Sequence, residues 1–202
     1  MNKLCAAIAC ITVLAAPAAA APLPLAELSA YLNGLTTLEA PFTQINPDGT
    51  LSTGTVRIAR PGRIRFEYDP PDRTLVLADG QQVAIFDAKS NQPPEQYPLR
   101  RTPLHLILAP RVDLAQARMV VSHREEGTTT RVTAQDPDNP GLGTIEMVFT
   151  AQPTELRQWV VTDDTGGQTT LILGTMAKGG TISPALFTIE AELVARGLRV
   201  ER

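Results

Sequence analysis

Hydrophobic and polar residues alternate one by one along much of this chain, most clearly where Ile64, Phe66 and Tyr68 interleave with Arg63, Arg65 and Glu67. A period of two marks a strand with one face on oil and the other on water. Thr74 to Ala78 and Gln81 to Phe86 flank Asp79-Gly80, a dipeptide favoured in two-residue hairpin turns because both central residues need positive φ. The same reading predicts eleven strands, over 42–45, 53–59, 63–68, 74–78, 81–86, 95–98, 119–124, 128–134, 144–150, 156–162 and 168–175. Hairpin turns at Glu126-Gly127, Gln152-Pro153 and Asp164 to Gly167 make this an antiparallel meander without parallel crossovers or a second domain.

Helical periodicity is scarce. Pro24 to Leu35 places Leu25, Leu28, Leu32 and Leu35 at steps of three, four and three, an amphipathic helix ended by Asn33-Gly34. Thr102-Pro103 supplies a cap and a first-turn proline, after which Leu104, Leu106, Ile107 and Leu108 make nearly one apolar turn before Pro110 stops it. A third turn is expected over Asp113 to Ala117.

The N-terminus reads as an address. Lys3 gives a positive start, Leu4 to Ala16 is a 13-residue apolar run, and Ala18-Ala19-Ala20 offers the small residues that a signal peptidase needs. Such a run is shorter than the roughly 20 residues of a membrane-spanning helix. Cleavage is expected after Ala20, giving a signal peptide over 1–20, a single domain over 21–202 and an exported, periplasmic protein. Cys5 and Cys10 both leave with the leader, so the mature chain has no disulfide, thiol nucleophile or thiolate ligand. Losing Lys3 takes the net charge from −3 to −4, which argues against nucleic acid as a partner.

Catalytic chemistry is poorly represented. His105 and His123 are the only histidines, too few and too far apart for a zinc site, and they read as surface residues of a helix and a strand. There is no Gly-x-Ser-x-Gly elbow. Asp163-Asp164 could serve as paired carboxylates, yet with Thr165-Gly166-Gly167 behind them they read as a turn. No enzyme activity, metal or cofactor is expected.

More telling is the cluster Arg57, Arg60, Arg63 and Arg65. Arg57, Arg63 and Arg65 share the solvated face with Glu67. Arg60 has the parity of Val56 and Ile58, so an uninterrupted strand would aim its guanidinium at the apolar side. Pro61 could instead end the strand and free the side chain into water. At the mouth of an apolar concavity, its five-donor fork would suit the backbone carbonyls of a covering element.

Taken in order, Phe42-Thr43-Gln44, Gly54, Arg60-Pro61 with Phe66 and Pro71, Asp79-Gly80, Thr102-Pro103-Leu104, Asp164 with Gly167-Gln168, and Phe187 resemble the LolA-type periplasmic carriers of outer-membrane lipoproteins over nearly the whole mature chain. The resemblance implies a mainly β fold, an incomplete (half-open) antiparallel β-barrel of about eleven strands whose unfilled apolar hollow is covered by a lid of short α-helices. It implies that Arg60 latches the lid through carbonyls around Ile107, Leu108 and Ala109. Acyl chains would lie among Leu28, Leu32, Val56, Ile58, Ile64, Phe66, Tyr68, Leu75, Leu77 and Leu104, with Ile64 near the entrance. It further implies a monomer that takes acylated lipoproteins from an ATP-driven, ABC-type inner-membrane releasing complex to an outer-membrane acceptor. This chain has a single tryptophan, Trp159, where better-known carriers line the hollow with more rings. Two rivals stand beside this reading. One is a lipid-sensing module of the same shape that grips a membrane-protein partner through Arg57, Arg63 and Arg65. The other is a secreted hydrolase using Asp163 and Asp164.

Overall fold

A computed structural model describes residues 21–90 and 92–198; the leader and its cleavage point lie outside them. Helix α1 (Leu25–Gly34) is followed by six strands, β1 (Thr37–Ile45), β2 (Leu51–Ala59), β3 (Arg63–Tyr68), β4 (Leu75–Asp79), β5 (Gln82–Phe86) and β6 (Glu95–Pro98). Helix α2 (Leu104–Leu108) then precedes β7 (Val120–Glu126), β8 (Thr129–Gln135), β9 (Thr144–Ala151), β10 (Thr154–Thr162), β11 (Gln168–Leu173), the two-residue β12 (Ala177–Lys178) and helix α3 (Ile189–Ala195).

All pairings given for the sheet are antiparallel, in the order β6-β5-β4-β3-β2-β1-β11-β10-β9-β8-β7. Two meanders therefore meet where β1 pairs β11, and β6 and β7 remain as the open edges. The chain crosses from one edge to the other through residues 99–119, which carry α2. The twelfth strand escaped the sequence reading because β1 shares one side between two short partners, β11 at 42–45 and β12 at Leu38 and Glu39. Between them Pro41 has no N–H to offer, while its carbonyl accepts Gly174 N–H on that side at 2.8 Å.

Curvature follows from distances. Four strand-to-strand steps separate β3 from β10, about 19 Å on a flat sheet. Yet the Phe66 and Trp159 rings lie 6.5 Å apart, so the sheet bends over the face they share. Register identifies that concave face: Leu38 opposes Ile58, Ile58 opposes Ile64, and Ile64 opposes Ala78.

Two local expectations differ. In the β4–β5 turn the loop residues are Gly80 (φ 112°) and Gln81. Asp79 ends β4, and its carboxylate accepts the Gln81 and Gln82 N–H groups at 2.8 and 2.9 Å. Only the first loop residue then needs the glycine-favoured region, as in a turn with glycine leading. At 113–117 the chain forms turns rather than helix, because the Asp113 carboxylate takes the Ala115 N–H at 3.0 Å.

The convex face carries a second apolar layer that the sequence reading did not foresee. Ala59, Leu75, Leu77, Ala84 and Phe86 pack beneath Phe187, Ile189 and Leu193 of the C-terminal segment. Leu75 and Leu77 are thus corrected: they oppose Glu67 and Arg65 in the register and face away from the hollow. Arg65 is corrected as well, being 8% exposed instead of solvated. It donates to Leu186 O and Glu192 at 3.1 Å each and to Glu67 at 2.9 Å. Replacing Arg65 by Leu should cost about 3 kcal/mol and expose residues 184–195 to limited proteolysis before the sheet is cut; an unchanged urea midpoint and cleavage pattern would contradict this account.

Candidate functional site

Arg60 lies just beyond β2, and its N–H donates to Thr36 O at 2.8 Å, fixing it beside the start of β1. Its side chain turns to the mouth of the concave face, not into water. One terminal nitrogen donates to Leu32 O of α1, the other to Ala109 O behind α2 at 2.6 Å and to Asn33 Oδ1 at 3.4 Å. The last carbonyls of a helix have no partner within it, so one guanidinium serves the ends of both helices. Burial draws its pKa below the ordinary guanidinium value, though an arginine remains charged at physiological pH.

Of the carbonyls expected to receive Arg60, Ala109 does so. Leu108 O instead accepts Gly62 N–H at 2.8 Å, and Ile107 contributes a buried side chain, 4% exposed. Gly62 is needed there: at φ 75°, a Cβ would stand 2.7 Å from the Gly80 Cα of the neighbouring turn. Leu32 and Asn33 were not anticipated as partners. The orphan carbonyls of the α1 C-terminus were the available signal for Leu32, whereas Asn33 read only as a helix stop.

The two lid segments are also joined to each other. Asn33 Nδ2 donates to Val112 O and Val112 N–H to Asn33 Oδ1, both at 2.8 Å, while Leu114 N–H donates to Ser29 Oγ at 3.0 Å. On the far side His105 Nε2 of α2 stands 3.5 Å from Asp136 in the β8–β9 loop.

Leu28 and Leu32 of α1 and Ile107 of α2 form one cluster with Val56, Ile58, Ile64, Phe66 and Trp159 of the sheet, and Tyr68 and Leu104 pack against it half-buried. Phe42 packs edge-on against Phe66 and Tyr68, with centroids 5.7 and 5.2 Å away. Ile145, Met147 and Phe149 of β9 belong to the same cluster; their alternation was legible but was not assigned to the site. The expected unfilled hollow is corrected, because side chains of the two helices fill it. Bending brings the sheet within reach of lid leucines, so Leu28, Leu32, Leu106 and Leu108 themselves cover the apolar face, each 6% exposed or less. Space of about 800 Å³ opens where Pro61, Gly62, Leu99, Leu108 and Pro110 meet Asp79, Gln82, Arg100 and His105.

Little supports hydrolysis. The Asp163 carboxyl is held below the usual carboxylate range by the Thr165 hydroxyl and by the Thr165 and Gly167 N–H groups, the reverse of a general acid tuned upward. Among the described residues, no three His, Cys, Asp or Glu side chains are grouped to hold a metal, and no helix is long and apolar enough to cross a membrane.

Residues 33–190 match the sequence profile of the family described as outer membrane lipoprotein carrier protein LolA. The outer-membrane lipoprotein carrier protein of Xylella fastidiosa (strain 9a5c) is 43% identical over 74 residues, 34% of this chain and 35% of that one. Its counterpart in Chromobacterium violaceum is 40% identical over 77 residues, 37% and 36% of the two chains. The matched segment thus spans about a third of the length of these curated relatives. Among solved structures, an uncharacterized conserved protein from Thermus thermophilus aligns with a TM-score of 0.47 at 11% identity, covering 81% of this chain and 90% of that one. A LolA superfamily protein from Nitrosomonas europaea gives 0.45 at 10%, covering 82% and 98%.

Tyr68 closes one end of the apolar face, its hydroxyl donating to Gln44 Oε1 at 2.7 Å. Burial pushes its pKa up to about 12 from an ordinary 10. The unfolded chain therefore loses this proton first, so the stabilising contribution is whole below pH 10 and fades as pH climbs to about 12. The slope is roughly 1.4 kcal/mol per pH unit for one such group. Denaturant titrations across this range should show Tyr68→Phe losing stability less steeply than wild type; parallel curves would contradict the assignment.

Proposed function

We propose, from the premise that this chain belongs to the family of outer membrane lipoprotein carrier protein LolA, that it sheathes the acyl chains of lipoproteins and ferries them across the periplasm from the inner to the outer membrane. The observation that carries this reading is a single guanidinium, Arg60, bridging the carbonyl ends of both lid helices above an apolar concave face.

The physics of the task fits. A chain of about 16 carbons in water costs roughly 12 kcal/mol at ~0.8 kcal/mol per methylene, and a lipoprotein carries more than one. The carrier needs an apolar surface as large as the cargo, exposed only on demand. Lid leucines occupy that surface in the closed state and would exchange places with acyl chains when the lid lifts, with little net change in exposed hydrocarbon. Closure then depends on a few charge-assisted hydrogen bonds, each worth about 1.5 to 3 kcal/mol, and cargo can be both held and surrendered. Arg60 acts as the latch, Ile64 stands near the entrance, Val56, Ile58, Phe66 and Tyr68 supply the sheet wall, and Leu28, Leu32 and Leu104 are the helical side that lifts.

In this reading residues 21–202 act as one monomeric domain after a leader is cut at Ala20, loaded by an ATP-driven inner-membrane complex and unloaded at an outer-membrane acceptor. No catalytic group or cofactor is called for. The lipid-sensing alternative fits less well, since Arg65 is engaged by the C-terminal segment and Arg57 by Glu39 and Glu67.

Arg60→Leu removes the bonds to both Leu32 O and Ala109 O and should shift the lid toward the open form by at least tenfold to a hundredfold, roughly what one charge-assisted hydrogen bond alone is worth. Acylated lipoprotein should then accumulate on the carrier in periplasmic extracts, with transfer to outer-membrane vesicles reduced. Loading and release indistinguishable from wild type would rule out the latch.

A further inference from the structure

Arg60 touches each lid segment at its end, which holds both down but does not by itself make them rise together. The joint between them lies on one side of α1. Ser29 and Asn33 are four residues apart, hence one above the other on the helix. Across from them Val112 and Leu114 are two residues apart on the chain that follows α2. Asn33 uses its amide at both ends, receiving Val112 N–H and donating to Val112 O at 2.8 Å each. Ser29, only 9% exposed, accepts Leu114 N–H at 3.0 Å and donates its own hydroxyl to Leu25 O at 2.7 Å. A side-chain amide that accepts from and donates to one residue's backbone imitates a strand neighbour. Helix α1 thereby treats 112–114 as an added strand would.

The same Asn33 Oδ1 is 3.4 Å from the Arg60 guanidinium. It therefore stands where the sheet rim, α1 and the α2 segment converge. We infer that the Ser29–Asn33 seam fastens α1 and residues 104–114 into one rigid lid, with Asn33 as the positioning residue that transmits the state of the Arg60 latch to both halves. The inference rests on the lid reading above and adds to it a two-state element. If the seam is intact, breaking one latch frees both walls of the apolar face together. Without it, either helix could lift alone and expose leucines to water with no room for a pair of acyl chains.

Coupling is read from amides that the seam does not touch. Leu32 N–H in α1 and Leu106 N–H in α2, the latter bonded to Pro103 O at 3.2 Å, report the two halves in residue-resolved hydrogen exchange of the unloaded protein. In wild type the two should open with the same equilibrium constant, and Arg60→Leu should speed both by the same factor. With Ser29→Ala and Asn33→Ala combined, their opening constants should separate by about fivefold or more, as expected from removing hydrogen bonds of ordinary strength, and Arg60→Leu should then move them unequally. Amides that open independently in wild type, or that stay in step in the double variant, would overturn the inference. Should the double variant lose the protection of β9 and β10, Asn33→Ala alone serves. It should give a separation of about twofold or more, and none would contradict the seam. Because no lipoprotein is involved, failure here leaves the carrier reading standing, and failure of transport leaves this result standing.

Discussion

A strongly bent sheet with an apolar inner face has to keep that face from water, and everything else in this molecule answers to that requirement. The face is formed by alternate residues of β1 to β5 and β8 to β11, so it cannot be removed without removing the sheet. Two short helices cover it. Neither could stand alone, since helices of 10 and 5 residues fall short of the roughly 12 to 15 that are even marginal in water, and their leucines are stabilised by burial at roughly 25 cal/mol per Å². The cover is thus held mainly by non-directional burial, while Arg60 and Asn33 fix its position through directional hydrogen bonds.

The two faces of the sheet divide the labour. On the convex side α3 and the turn before it pack over β3 to β5, with Arg65 tied to Leu186 O, Glu67 and Glu192. That layer covers the half of the sheet that leads to Arg60 without touching the inner face. The other half has its outer side occupied by an ionic network in which Arg124 and Arg131 share Glu146. Arg131 and Arg124 outweigh the burial of Glu146 and keep its carboxyl below the usual carboxylate range.

Much of this was legible in the alternation of residues. The period of two located eleven of the strands, but the alternation left Arg60 open between the apolar side and water, because β2 ends at Ala59 and parity does not carry past it. Legibility failed where the pattern carries no phase. In β4 the run Leu75-Val76-Leu77-Ala78 is apolar on both faces, so it cannot say which side meets the hollow; only pairing with Arg65 and Glu67 does. Helix α3 buries just Ile189 and Leu193, too short a stripe to stand out. Asn33 went unrecognised for another reason. An asparagine before a glycine is explained locally as a helix end, and its bonds to Val112, 79 residues away, have no local trace. The filled hollow was missed because periodicity identifies an apolar face without telling what covers it.

Trp159, the single tryptophan, is 2% exposed on the inner face against Phe66, and offers a direct probe of where cargo lies. Its fluorescence should be measured as the carrier is loaded with a lipopeptide whose acyl chains bear a bromine or nitroxide quencher. If acyl chains displace the lid leucines from the apolar face, quenching should rise with loading and saturate at one lipopeptide per protein. Stoichiometric binding with Trp159 unquenched would place the cargo elsewhere and contradict the account.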